Sequence, residues 1–237
     1  MTDLTPAIKH LQRSDKTIRE LIRKVGVCTL QTQRHRSPFE ALMQSIVYQQ
    51  LNGIAASTIF GRVKAIYPRR RFPRPEDILA TPDEKLRAAG LSRAKVAAIK
   101  DLADKTLQGV VPSSRTIIAL SDLEIIERLT VVRGIGPWTV QMLLIFHLGR
   151  TDVWPVTDHG VRKGFAQSYG LADLPSPKEL IELGEKWRPH RTIAAWYFWR
   201  ALDLPEDSSP AARSQEQGGR PRTTGLARRN EPNPIRN

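Results

Sequence analysis

Asp158 stands in Pro155-Val156-Thr157-Asp158-His159-Gly160, at the expected start of a helix. An aspartate there can simply cap the helix by accepting its first N–H groups. Those N–H groups and the helix dipole also suit a negative charge. A carboxylate held this way can stabilise a developing cation or orient a water. Cleavage of a glycosidic bond through an oxocarbenium-like transition state needs such a group. Spacing alone leaves both uses open.

A second feature lies upstream in Leu129 to Lys163, which reads as helix end, tight turn, helix, short loop and a new helix start. The turn is Gly134-Ile135-Gly136. The glycines free the backbone for positive φ and close approach, and Pro137 suits a first helical position. A helix N-terminus behind such a turn suits a phosphate; an ordinary helix–turn–helix corner has the same pattern. Trp138, Met142 and Ile145 follow at i, i+4 and i+7 on one stripe. With Leu143, Leu144 and Phe146 on other faces, the spacing predicts a central, buried helix. Trp138 is then a core residue, or an aromatic face at a pocket mouth on which a flat base or cationic ring stacks.

Gln49-Gln50-Leu51-Asn52-Gly53 breaks two apolar helices. It is either a plain turn or a loop whose side chains enter a DNA duplex and fill the gap left by an extracted base. Arg69, Arg70, Arg71 and Arg74 form a solvated basic loop or contact phosphate. Trp187 to Trp199 is aromatic-rich. Trp196 and Trp199, at i and i+3, read as core, and His190 lines a cavity or faces water. No GxxxxGK[ST], HExxH or GxSxG occurs, and the five histidines do not cluster with carboxylates at metal-ligand spacing.

The elements that must position these residues are helices. Ser37-Pro38-Phe39-Glu40, Thr81-Pro82-Asp83-Glu84 and Ser176-Pro177-Lys178-Glu179 each offer a hydroxyl N-cap, proline next and glutamate third, the pattern of a capping box. Ser121-Asp122-Leu123-Glu124 is a fourth without proline. Helical apolar spacing follows each, and no run alternates convincingly as a strand. The reading is all-α, with about ten helices. Ile18, Leu21, Ile22 and Val25 share one face of the N-terminal helical region. Helices are expected over 38–51, 54–66, 75–80, 82–89, 93–108, 158–169, 177–187 and 190–203, with two short ones before the hairpin.

The chain has 237 residues, 40% of them hydrophobic, enough for one large or two small domains. Its formal net charge of +13 favours a polyanionic partner, nucleic acid before anionic membrane. Cys28 is the single cysteine, which excludes an internal disulfide and a four-cysteine zinc or iron–sulfur site. The N-terminus lacks the apolar segment of a signal peptide, and no apolar run approaches membrane-spanning length; a cytoplasmic, nucleoid-associated location is expected. Residues 206–237 carry a net +2 and have no aromatic residue, so +11 belongs to the rest. This tail is expected to be disordered.

LTVVRGIGPWTVQMLL followed by DVWPVTDHGVRKG resembles the helix-hairpin-helix DNA glycosylase superfamily. SIVYQQLNGIAASTIFGRV upstream and WRPHRTIAAWYFWRAL downstream narrow the resemblance to 3-methyladenine DNA glycosylase II, the alkylation-repair branch, and its yeast-type relatives. The four segments stand in family order across most of residues 37–202. The resemblance implies a two-domain all-α fold with the active-site cleft between the domains. One domain is 36–140, ending in the hairpin; the other combines 1–35 with 141–205.

The resemblance further puts the catalytic aspartate at Asp158 and a base pocket at Trp138, Met142, His159 and His190. Gln50, Leu51, Asn52, Arg133, Gly134, Gly136 and Thr139 would contact DNA. Carbonyls of Thr130, Val132 and Ile135 would hold a monovalent cation; no cofactor is required and no iron–sulfur cluster is expected. Relatives that also cut the strand carry a lysine where Trp138 stands, its amine forming a Schiff base with the sugar. The implied protein is a monomeric, monofunctional glycosylase that acts on alkylated bases in double-stranded DNA and has no membrane partner. Met142, His159 and His190 replace aromatic side chains of some bacterial relatives, implying a preference for 3-methyladenine and 7-methylguanine over bulky or neutral lesions. The competing readings are a non-enzymatic hairpin DNA-binding protein and a glycosylase for oxidised or mismatched bases.

Overall fold

The structure, a computed structural model, describes residues 3–32 and 36–205. The tail from residue 206 lies outside the described residues. In chain order the elements are α1 (Thr5–Ser14), α2 (Lys16–Val25), α3 (Pro38–Tyr48), α4 (Gly53–Ala65), α5 (Pro75–Ala80), α6 (Asp83–Ala88), α7 (Arg93–Leu107), α8 (Ser114–Ile117), α9 (Asp122–Leu129), α10 (Pro137–Leu143), α11 (His159–Tyr169), α12 (Pro177–Gly184) and α13 (Arg191–Ala201). A π-helical turn, Leu144–Leu148, continues α10, and a 3₁₀ turn, Glu185–Trp187, continues α12. No described residue is in a strand, and the chain is all-α.

The described residues divide into two compact units. One combines the residues up to Thr32 with those from Gly149 onward; the other runs from residue 36 to Leu148. The latter ends beyond the boundary expected at residue 140, because α10 runs directly into the π-helical turn, which buries Leu144, Ile145 and His147.

Capping explains most helix starts. The Ser37, Ser92, Ser113, Ser121 and Ser176 hydroxyls each accept an N–H of the following turn. Ser121 with Glu124 and Ser176 with Glu179 form reciprocal boxes. At Ser37 the expected box is half made, since the Glu40 carboxylate lies 3.9 Å from the Arg36 guanidinium. The Thr81 expectation is wrong. Thr81 closes α5, its hydroxyl donating to the Asp77 carbonyl at 2.7 Å and meeting the Tyr67 hydroxyl at 2.7 Å, and α6 starts behind Pro82 with no side-chain cap.

In the terminal unit, Ile18, Leu21 and Ile22 of α2 pack with Leu11, Trp154, Phe165, Trp187 and Phe198 in one core. A Cβ on Gly164 would lie 1.9 Å from the Phe198 carbonyl oxygen, so α11 and α13 meet backbone to backbone. The helix expected over 177–187 tightens after Gly184, where a Cβ would sit 2.4 Å from the Trp154 indole nitrogen. Asp15 caps α2 through the Thr17 and Ile18 N–H groups. It also accepts from the Tyr169 hydroxyl at 2.6 Å and pairs with Lys186. Burial pushes its carboxyl up, but Lys186, Tyr169 and the Ile18 N–H outweigh that and hold it below its ordinary value.

In the central unit, α7 buries Val96, Ile99, Leu102 and Ala103, and contacts α3, α5 and α6. Against it α3 buries Phe39, Leu42, Met43, Ile46 and Val47. The α3 helix stops at Tyr48 rather than at the expected 51, because Gln50 takes φ +56°, which no α-helix can continue.

Candidate active site

Asp158 is nine-tenths buried and caps α11. Its Oδ1 accepts the Val161 N–H at 2.8 Å and the Trp199 indole N–H at 2.8 Å. The cap is thus also an oriented carboxylate. Gly160 makes room for this arrangement, since a Cβ there would lie 2.9 Å from Trp199 Cδ1 and 3.1 Å from Asp158 Oδ1.

The loop leading to Asp158 is pinned at three successive residues. Asp152 receives the Arg191 guanidinium at 2.7 and 3.0 Å and Arg188 at 2.9 Å. The Val153 N–H donates to the buried Thr192 hydroxyl at 2.9 Å, and the Trp154 indole donates to the Leu180 carbonyl at 2.6 Å. Such fixing holds a charged group in place before any substrate arrives.

The other two expected site residues of this unit take different surroundings. His159 is the exposed first residue of α11. The His190 ring lies edge-on to His10 at 5.4 Å between centroids, and its Nδ1 is buried without a partner. Burial, then the His10 charge, lowers its imidazole below the ordinary value of 6.5. Trp196 is core as expected. Trp199 is half-buried and packs against the edge of this core, and its bond to Asp158 adds a role that the core reading did not include.

The central unit carries the hairpin between α9 and α10. Gly134 takes φ +78°, which the turn requires, and Gly136 is the N-cap of α10. The Ile135 N–H donates to the Val132 carbonyl at 3.0 Å. Two side chains from outside the hairpin hold it: Asp101 Oδ2 accepts the Arg133 N–H at 2.7 Å, and Gln49 Nε2 donates to the Gly134 carbonyl at 2.8 Å. The Arg133 N–H therefore faces inward, and only its exposed side chain is directed outward. Thr139 is buried.

Trp138 is 45% exposed and Phe146 38%, which overturns the expectation of a helix buried all round; Ile145 is buried and Met142 half-buried. Between α3 and α4, Gln50 and Leu51 are exposed, while the Asn52 carboxamide accepts the Ala55 N–H at 2.8 Å as the cap of α4. Ile54, not singled out in the sequence, adds an apolar side chain that is 84% exposed. Among the described residues no group of three or more His, Cys, Asp or Glu is placed to bind a metal ion.

A buried, oriented carboxylate in one unit and a glycine hairpin flanked by an exposed apolar tip in the other accompany a family match over more than half of the chain. The profile of the HhH-GPD superfamily base excision DNA repair proteins matches residues 43–190, and the chain belongs to that family. It is 37% identical over 211 residues to DNA-3-methyladenine glycosylase 1 of Schizosaccharomyces pombe, covering 89% of this chain and 92% of the relative. The solved structure of 3-methyladenine DNA glycosylase from that yeast in complex with abasic DNA superposes with TM-score 0.76 at 38% identity, over 85% and 98% of the two chains. A DNA-3-methyladenine glycosidase from Bacillus halodurans superposes with TM-score 0.79 at 32% identity, over 88% and 94%.

Proposed function

We propose that this chain is a monofunctional DNA glycosylase that releases alkylated bases, 3-methyladenine and 7-methylguanine first, from duplex DNA. The observation that carries the reading is Asp158, buried and accepting the Val161 N–H and the Trp199 indole N–H. Pure DNA binding needs no such group. The relatives named above, similar over nearly their whole length, support the alkylated-base class.

The chemistry follows from the leaving group. Alkylation at N3 or N7 places positive charge on the purine, so the base departs neutral when the bond to C1′ breaks. Positive charge then moves to the sugar, where a fixed carboxylate stabilises it. Water adds at C1′ and loses a proton to the carboxylate or to solvent, completing hydrolysis. The base must first leave the helix, and an aromatic face such as Trp138 suits an electron-poor ring. Leu51 and Ile54 are the exposed apolar candidates to fill the vacated stack; Asn52 is occupied as a cap. Trp138 offers no amine for a Schiff base, so the strand should survive base release. The hairpin would hold a phosphate through its N–H groups. The carbonyls of Thr130 and Ile135, with the remaining lone pair of Val132, are of the hard-oxygen type that suits a monovalent cation.

Chromatography of bases released from methylated duplex DNA tests the reading. The expected result is free 3-methyladenine and 7-methylguanine, with strands intact until alkali is added. Release of 8-oxoguanine instead, or strand cleavage without alkali, would contradict it.

A further inference from the structure

We infer that one face of α7 locks the exposed tip at Gln50-Leu51 to the glycine hairpin, with Lys95 and Gln49 as positioning residues, so that both elements meet DNA as one piece. Its role in base excision rests on the glycosylase reading above. The contacts form a continuous chain. Lys95 Nζ donates to the carbonyls of Val47 and Gln49, each at 2.7 Å. The Gln49 carboxamide then donates to the Gly134 carbonyl at 2.8 Å. From the far end of the same face, Asp101 accepts the Arg133 N–H at 2.7 Å and the Lys105 ammonium at 2.9 Å. Ala98 lies between, and a Cβ on Gly134 would be 3.4 Å from its methyl group. Residues 95, 98, 101 and 105 recur at the spacing of one helical face.

The strain next to this chain marks what it holds. Gln50 is the one described non-glycine residue with positive φ, at +56°. Such a conformation persists only where its surroundings fix it. Gln49, its neighbour, is fixed at both ends, the carbonyl by Lys95 and the side chain by Gly134. The α3 helix also ends without a glycine: a lysine distant in sequence takes its carbonyls and sets where the chain turns. Freed from these contacts, the tip would relax, and Leu51 would no longer enter the duplex at a fixed distance from a phosphate held by the hairpin.

The test uses the full chain with Gln49→Ala and Lys95→Met, each checked for an unchanged far-ultraviolet spectrum. Without DNA, hydrogen–deuterium exchange should quicken together in peptides covering 49–53 and 131–136 of Gln49→Ala; quickening confined to 49–53 would overturn the coupling. With DNA, each variant should bind undamaged duplex within about threefold of wild type. Single-turnover release of 7-methylguanine should fall about five- to tenfold, as loss of one fixed hydrogen bond implies, and 2-aminopurine fluorescence beside the lesion should fall with it. Equal losses of binding and release, or no loss of release in a folded variant, would overturn the proposal. A wild type that releases no alkylated base would sink the glycosylase reading alone, since paired exchange still decides the coupling. Should Gln49→Ala not fold, Gln49→Glu, which keeps the side-chain size and removes the donor, carries the same measurements.

Discussion

The two ends of the proposed reaction are built in opposite ways. Around Asp158 the working group is a buried side chain, fixed by Val161, Trp199 and a loop tied down at Asp152, Val153 and Trp154. In the central unit the working groups are backbone turns and an exposed tip, at Gly134 and Gln50-Leu51, held from behind by α7. Chemistry on a sugar cation needs a charge that cannot rotate or be screened, so that site is buried and held by hydrogen bonds. Grip on a phosphate backbone needs N–H groups and small residues at a surface, so that site is exposed. Substitutions should therefore separate the two: changes near Asp158 should affect rate, changes at the hairpin glycines should affect binding, and loosening the tip through Gln49 or Lys95 should affect base extraction with binding retained.

The largest effect should come from Gly164→Ala. Its methyl group has no space against the Phe198 carbonyl, so α11 and α13 must move apart at a cost of about 3 kcal/mol or more. Thermal unfolding should register a large loss of stability, with activity falling as Asp158 loses its frame. Trp199→Phe keeps an aromatic side chain of smaller size and deletes the N–H. A hydrogen bond to a charged group contributes about 1.5–3 kcal/mol, so single-turnover base release should fall about 10- to 100-fold, with abasic-DNA binding little changed. A loss of binding instead would break the comparison. Gly134→Ala should do the reverse. Forcing a Cβ into φ +78° costs about 1–2 kcal/mol, and binding measured by anisotropy should weaken about tenfold, while the rate at saturating enzyme stays close to wild type.

Mild acid should have the smallest effect, and near neutrality it acts through the terminal unit. His190 has a folded-state value below that of the unfolded chain, so the unfolded state takes up a proton first as pH falls through about 6.5. Stability should decline across that window and level off below the folded value. Asp15, lowered in the folded state, adds a second loss at lower pH, in the carboxylate range. Thermal melts of wild type and His190→Asn at about pH 7.5 and 5.5 would separate the first loss; a variant as acid-sensitive as wild type in that window would contradict the assignment.

The legibility of each feature in the sequence follows the range of its contacts. Caps act over three residues, so Ser37, Ser92, Ser121, Ser176 and Asp158 could be read directly. Thr81-Pro82-Asp83-Glu84 fits the same grammar but fails, because the Tyr67 hydroxyl and the α5 carbonyl at Asp77 already hold the Thr81 hydroxyl. Gln49 was read only as part of a turn or a DNA-entering loop, and Lys95, Asp101 and Trp199 went unread as site residues. Their partners lie 85, 46, 32 and 41 residues away, and no local pattern encodes such pairings. The helical stripe Trp138-Met142-Ile145 suggested burial, yet Trp138 is exposed, since periodicity gives the face of a helix and not what covers it.

The central claim is that Asp158 supplies rate while the hairpin supplies grip. Asp158→Asn tests it most directly, because the carboxamide oxygen can still accept from Val161 and Trp199 and keep the cap. Single-turnover release of 7-methylguanine should fall by at least about 100-fold, with abasic-DNA binding within about threefold of wild type. Release at the wild-type rate, or a loss explained entirely by weaker binding, would contradict the account.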